Sequence, residues 1–150
     1  MTHFKLTTAA LVLLALMFPL QAIANSPARD ALSQAKAECA ALENGVLTVE
    51  ADAITSVDLT GDGAADEILD YSKISCSTAL TYWCGSGGCA VGFYANGAKL
   101  EIAARNWTVI NWSETPILLT SLHGTGCGDT GANPCYKAFF WFDGTFRAAE

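Results

Sequence analysis

The sequence predicts an α+β fold, an N-terminal helix packed on a mainly antiparallel β-sheet or partial barrel and stapled by disulfides. Three observations carry this expectation. Helical apolar spacing is confined to the stretch that begins at Ser26 and stops near Gly45. Beyond Gly45 the chain breaks into short alternating runs separated by turn residues. All six cysteines follow what reads as an export signal.

Residues 1–24 have the layout of a secretory signal peptide. Lys5 gives a positive start, the apolar run Leu6–Phe18 ends at Pro19, and Ala22-Ile23-Ala24 offers the small-x-small pattern cut by signal peptidase. Cleavage is expected before Asn25. The apolar run is shorter than the roughly 20 residues a spanning helix needs, and no cysteine stands at the cleavage point to take a lipid. Residues 25–150 are expected to be a single globular domain, periplasmic or secreted, with no membrane association after cleavage. Losing Lys5 leaves 7 Lys plus Arg against 15 Asp plus Glu, a net charge of −8. That balance disfavours nucleic acid and fits cations or a protein partner with a basic surface.

The first element is the helix. Ser26 suits its N-cap, Pro27 its first position, and Asn44-Gly45 its C-terminal stop. Ala28, Leu32, Ala35, Cys39 and Leu42 share one face at helical spacing. Strands are then expected near 46–50, 53–58, 67–73, 89–95, 98–104, 107–111, 116–121, 135–142 and 145–148. Asn96-Gly97 and Asp143-Gly144 mark tight hairpins, because the favoured two-residue turn needs positive φ at both positions.

An even cysteine count in an exported chain implies disulfides. Spacing favours Cys84–Cys89 around Gly-Ser-Gly-Gly and Cys127–Cys135 around a Gly/Asn/Pro loop, leaving Cys39–Cys76 to tie the helix to the rest. A zinc site would want paired short spacings such as C-x-x-C, which the chain lacks.

The sharpest motif is Asp58-Leu59-Thr60-Gly61-Asp62-Gly63-Ala64-Ala65-Asp66. Asp58, Thr60 and Asp62 place oxygen-bearing side chains at alternating positions, the Ala64 carbonyl follows, and Asp66 closes the set. Gly63 permits the sharp turn that folds these oxygens inward, and calcium takes hard oxygen ligands in flexible geometry. Leu69 stands where an EF-hand carries its last glutamate, so this is not an EF-hand. The stretch resembles the calcium loop of integrin-type FG-GAP and VCBS repeats, which joins two strands. The resemblance implies one bound calcium and extends only to the loop; those families repeat it in a propeller, whereas this chain has one copy. Thr60 replaces the usual Asn or Asp. An acidic turn that binds nothing is the competing reading. Glu67 and Asp70 lie close enough to be supporting groups. More broadly, the spacing of Cys76, Cys84-Gly-Ser-Gly-Gly-Cys89 and Cys127…Pro134-Cys135 is similar to small secreted bacterial proteins with no assigned activity.

Other features point less sharply. The Cys84–Cys89 glycine loop runs into a strand, not the helix N-terminus a phosphate site uses. His123 with Ser86 or Ser121 and an aspartate would make a hydrolase triad, but no nucleophile-elbow motif accompanies them. In 136–142, Tyr136, Ala138, Phe140 and Phe142 share one face and Lys137, Phe139 and Trp141 the other. With Tyr82, Trp83, Trp107 and Trp112 these aromatics are expected mainly in the core, or else on a partner surface. The expected function is an exported non-catalytic binding or structural module with one calcium loop. The alternatives are an exported inhibitor or immunity protein, and a small hydrolase centred on His123.

Overall fold

The computed structural model describes residues 26–149. The expected signal segment lies outside the described residues. Pro27–Ala41 form α1, the one α-helix among the described residues. Ser26 is its N-cap, accepting the Arg29 amide at 3.3 Å. Ala28, Ala35 and Cys39 are buried on one face, as the spacing predicts. Helical geometry stops at Leu42, and Glu43 and Asn44 turn the chain out through positive φ.

Eleven strands follow: β1 Leu47–Val49, β2 Ile54–Val57, β3 Asp66–Asp70, β4 Ile74–Cys76, β5 Cys84–Gly85, β6 Gly88–Ala95, β7 Ala98–Ala104, β8 Asn106–Trp112, β9 Thr115–Leu122, β10 Cys135–Phe142 and β11 Thr145–Ala148. Every pairing is antiparallel. One sheet runs β2-β3-β6-β7, with the two-residue β5 also pairing the start of β6. A second runs β11-β10-β9-β8, and β1 pairs β4 in a separate ribbon. The sheets are open, so the fold is layered and the partial-barrel alternative is not formed.

Alternation along β3 and β6 explains the layers. Ile68, Val91 and Phe93 point to one side and pack against Leu118, Leu122, Cys135 and Phe139 of the second sheet. Leu69 and Tyr94 point to the other side and pack with Ala28 and Ala35 of α1. The order is therefore helix, first sheet, second sheet. Fully burying an aliphatic or aromatic side chain of this size contributes about 1.5–3 kcal/mol, and Phe93, Ile68, Leu69 and Val91 are each at most 1% exposed.

Two expectations are corrected. The run expected at 67–73 ends at Asp70, whose Oδ1 accepts the Ser72 amide at 2.9 Å and caps a 3-10 turn over Tyr71–Lys73. Strands β4 and β5, short and poor in pattern, were not expected. The hairpin turns agree: Asn96 and Gly97 have φ of 47° and 81°, Asp143 and Gly144 of 50° and 73°. The bridges are Cys39–Cys76, Cys84–Cys89 and Cys127–Cys135, the pairing that spacing favours.

Candidate metal loop and its surroundings

Val57 at the end of β2 pairs with Asp66 at the start of β3, so residues 58–65 form the connecting loop. Gly61 and Gly63 take φ of 81° and 83°, a region other L-residues enter at a cost. Those two turns aim backbone N–H groups inward at the carboxylate that opens the loop. Asp58 Oδ1 accepts the amides of Thr60 at 3.0 Å and Gly61 at 2.6 Å, and Oδ2 accepts that of Gly63 at 2.9 Å. The Thr60 hydroxyl also reaches Asp58 Oδ1, at 3.3 Å. Asp62 Oδ1 accepts the Ala64 amide at 2.8 Å, and its Oδ2 accepts Asn96 Nδ2 at 3.3 Å. Asp66 Oδ2 accepts the Leu59 amide at 2.8 Å, while the Leu59 side chain plugs the core.

The three carboxylates differ electrostatically. The Gly61 and Gly63 amides hold Asp58 below the ordinary carboxylate range. The Ala64 amide, then Asn96, do the same for Asp62. Asp66 is only 8% exposed. Its burial, which outweighs the Leu59 hydrogen bond, together with the negative charges of Asp62 and Asp58, raises its proton affinity. The loop has a buried carboxylate in the field of two others and, among the described residues, no cationic side chain hydrogen-bonded to it.

Calcium accepts this donor chemistry, since every side chain offered is a hard oxygen. The arrangement is open: among the described residues no group of three or more acidic, histidine or cysteine side chains is set to hold a metal ion. Asp58, Asp62 and Asp66 are near enough to repel one another but are turned to backbone amides. A groove of about 470 Å³ separates the loop from the β8–β9 turn and is lined by Asp58, Gly63, Asn111 and Glu114. Asn96, Asn111 and Glu114 are oxygen-bearing neighbours that the sequence motif did not reveal. Asn96 comes from the β6–β7 turn, which the β3–β6 pairing sets beside the loop, whereas Asn111 at the end of β8 and Glu114 in the β8–β9 turn reach it through the stacking of the two sheets.

Glu67 and Asp70 have other partners. Glu67 binds the N-terminus of α1 through Ser26 and Ala28. Asp70 accepts Trp107 Nε1 at 2.8 Å as well as the Ser72 amide.

No family model, curated protein or solved structure matches this chain.

At the other end of the sandwich the two short disulfide loops meet. Arg105 donates to the carbonyl oxygens of Ser86 at 3.3 Å and Gly131 at 2.9 Å, one in each loop. His123 packs against Gly87 and Gly131, and its Nδ1 pairs with Thr125 Oγ1 at 2.8 Å. Among the described residues no carboxylate forms an ion pair or hydrogen bond with His123. Ser121 sits in β9 opposite Tyr136. The aromatics divide: Trp107 packs edge-on to Phe93 at 5.7 Å, whereas Tyr82, Trp112, Tyr136 and Phe142 are exposed, against the core expectation. No helix among the described residues is long and apolar enough to cross a membrane.

Proposed function

We propose that this is an exported, non-catalytic binding or structural module whose Asp58–Asp66 loop takes one calcium ion. The signal-like residues 1–24 and the three disulfides support export to the periplasm or beyond. One observation carries the calcium reading: Asp66 is buried beside Asp58 and Asp62 with no cationic side chain hydrogen-bonded to it among the described residues, so its charged form is disfavoured. A bound divalent cation would relieve that burial and repulsion together. Asp58, Asp62 and Asp66 would supply carboxylate oxygens, and Thr60 and the Ala64 carbonyl neutral ones. The ion's role would be to order the loop between β2 and β3.

The test is thermal unfolding of the oxidised protein in calcium and in EDTA, beside Asp62→Ala. A ligand that binds only the folded state should add about 2.7 kcal/mol at a hundred times its dissociation constant, and Asp62→Ala should remove that gain. Identical melting in calcium and EDTA would reduce the loop to an acidic turn.

One observation favours a second reading, an exported inhibitor. Ser86 and Gly87 form the tip between β5 and β6, with Ser86 exposed, its strands joined by Cys84–Cys89 and its Ser86 carbonyl held by Arg105. A loop restrained in this way loses little freedom on docking, and the acidic surface would suit a basic cleft. Salt-dependent capture of a single basic partner, lost on lengthening the Ser86-Gly87 tip, would support it over the calcium module.

A further inference from the structure

We infer that the outer face of the second sheet is a homodimer interface, on which two copies of this chain pack face to face. An antiparallel sheet with one face on a core ordinarily turns polar residues outward. Here the register sets Ile110, Ile117 and Phe140 in one row across β8, β9 and β10, and Thr108, Leu119 and Ala138 in the next. Asn106, Ser121 and Tyr136 make the row beyond. Trp112 and Phe142 close the opposite end. Tyr136 is 73% exposed, Trp112 69% and Phe142 62%. A shallow, mainly apolar groove of about 500 Å³ lies along Thr108, Leu119, Ser121, Tyr136 and Ala138. The helix covers the first sheet, and the first sheet covers the inner face of the second. Among the described residues nothing covers this outer face.

Charge and area select a second copy as the occupant. Each exported chain, without Lys5, carries a net charge of −8, so two copies repel unless they meet where carboxylates are absent. No acidic side chain stands in these rows, and the charged residue that faces outward beside Phe140 is Arg147. Glu114 and Asp143 are confined to the turns beyond Trp112 and Phe142, which makes them a rim. A basic partner would be drawn to the acidic surfaces elsewhere, not to this face, whose charged neighbours Arg147 and Lys137 are themselves cationic. As for area, an aromatic side chain presents about 150–250 Å², so the three exposed aromatics alone supply roughly 300–500 Å². Ile110, Leu119 and the polar row carry the face toward the roughly 800 Å² per partner of a standard interface. Two such sheets stack about 10 Å apart with their strands within about 30°, and the same patch serves both copies.

The test is sedimentation equilibrium of the wild type and two variants from low to high micromolar concentration, in calcium and in EDTA. The wild type should give a dimer mass that dissociates on dilution in both. Trp112→Ser with Phe142→Ser should weaken association on the order of a hundredfold, as loss of large aromatic anchors does, with the melting temperature nearly unchanged. Leu80→Ser, exposed but off this face, should leave the dimer intact. Should the double variant unfold, Tyr136→Lys carries the same expectation. A wild type that stays monomeric at high micromolar concentration overturns the inference, and so does a dimer indifferent to these face variants. Calcium-independent dimerisation keeps the outcome separate from that of the metal loop.

Discussion

Ser26 donates its hydroxyl to Glu67 Oε1 at 2.6 Å, and the neighbouring Ala28 amide donates to Oε2 at 3.1 Å. A carboxylate from β3, separated by 41 residues, thus completes the cap of α1 and complements the positive end of its dipole. Glu67→Gln puts an amide N–H where the Ala28 N–H or the Ser26 O–H needs an acceptor. Urea unfolding should show a loss of about 1–2 kcal/mol, the usual size for a hydrogen bond to a charged group. An unchanged midpoint would mean that α1 docks without this contact.

Asp66 gives a prediction whose sign depends on calcium. Its folded proton affinity is raised by burial and by Asp62 and Asp58, so the folded state holds the proton longer than the unfolded chain. Its contribution is therefore most favourable below the ordinary value of 3.8 and falls as pH rises through the raised one. Asp66→Asn keeps an oxygen for the Leu59 amide and removes the charge. In EDTA at neutral pH the variant should melt at or above the wild type; in calcium it should melt below. A variant less stable than wild type in EDTA would contradict the electrostatic account.

Tyr71 sets the alkaline limit. Burial, then the nearby Tyr94 and Glu101, push its phenol from 10.0 up to about 12. The unfolded chain releases that proton first, so stability present below pH 10.0 is lost as pH rises toward about 12. Tyr71→Phe should flatten this alkaline decline, read as unfolding free energy against pH. An equally steep decline in the variant would assign the limit to other groups.

The β8–β9 turn is made by Ser113 and Glu114, with φ of 46° and 69°. Neither residue is glycine, and a left-handed conformation costs an ordinary residue about 1–2 kcal/mol. Glu114→Gly should raise stability by up to about 1 kcal/mol, after the extra freedom of glycine in the unfolded chain is subtracted. Denaturant midpoints test this, and a destabilised variant would mean that the Glu114 side chain contributes more than its backbone costs.

What was legible in the sequence followed local chemistry. Ser26, Pro27 and the spacing from Ala28 to Cys39 announce α1, and the two Asn/Asp-Gly turns announce their hairpins. The Ser113-Glu114 turn has no such residue, though the strands on either side of it were expected. Asp58–Asp66 was visible as a motif because its spacing is contiguous. The Arg105 contacts to both disulfide loops, the Glu67 cap and the placement of Glu114 beside the Asp58–Asp66 loop depend on layer packing, which no local pattern encodes. The run 136–142 was legible as apolar on both faces. That Tyr136 and Phe142 end in solvent follows from there being, among the described residues, no further layer over the outer face of β10.

The second sheet is built wholly from strands that pair with their neighbours in sequence, between residues 106 and 148, whereas the helix layer joins Cys39 to Cys76 across 37 residues. Nearby contacts close faster than distant ones, because less chain must be brought to order first. The C-terminal hairpins are therefore expected to collapse early, and α1 to dock late, although a ribosome delivers it first. Quenching oxidative refolding at intervals should trap Cys84–Cys89 and Cys127–Cys135 ahead of Cys39–Cys76. During that interval the apolar face of α1 and the back of β3 are bare, which makes late helix docking the step at which an unassisted chain is most exposed to aggregation.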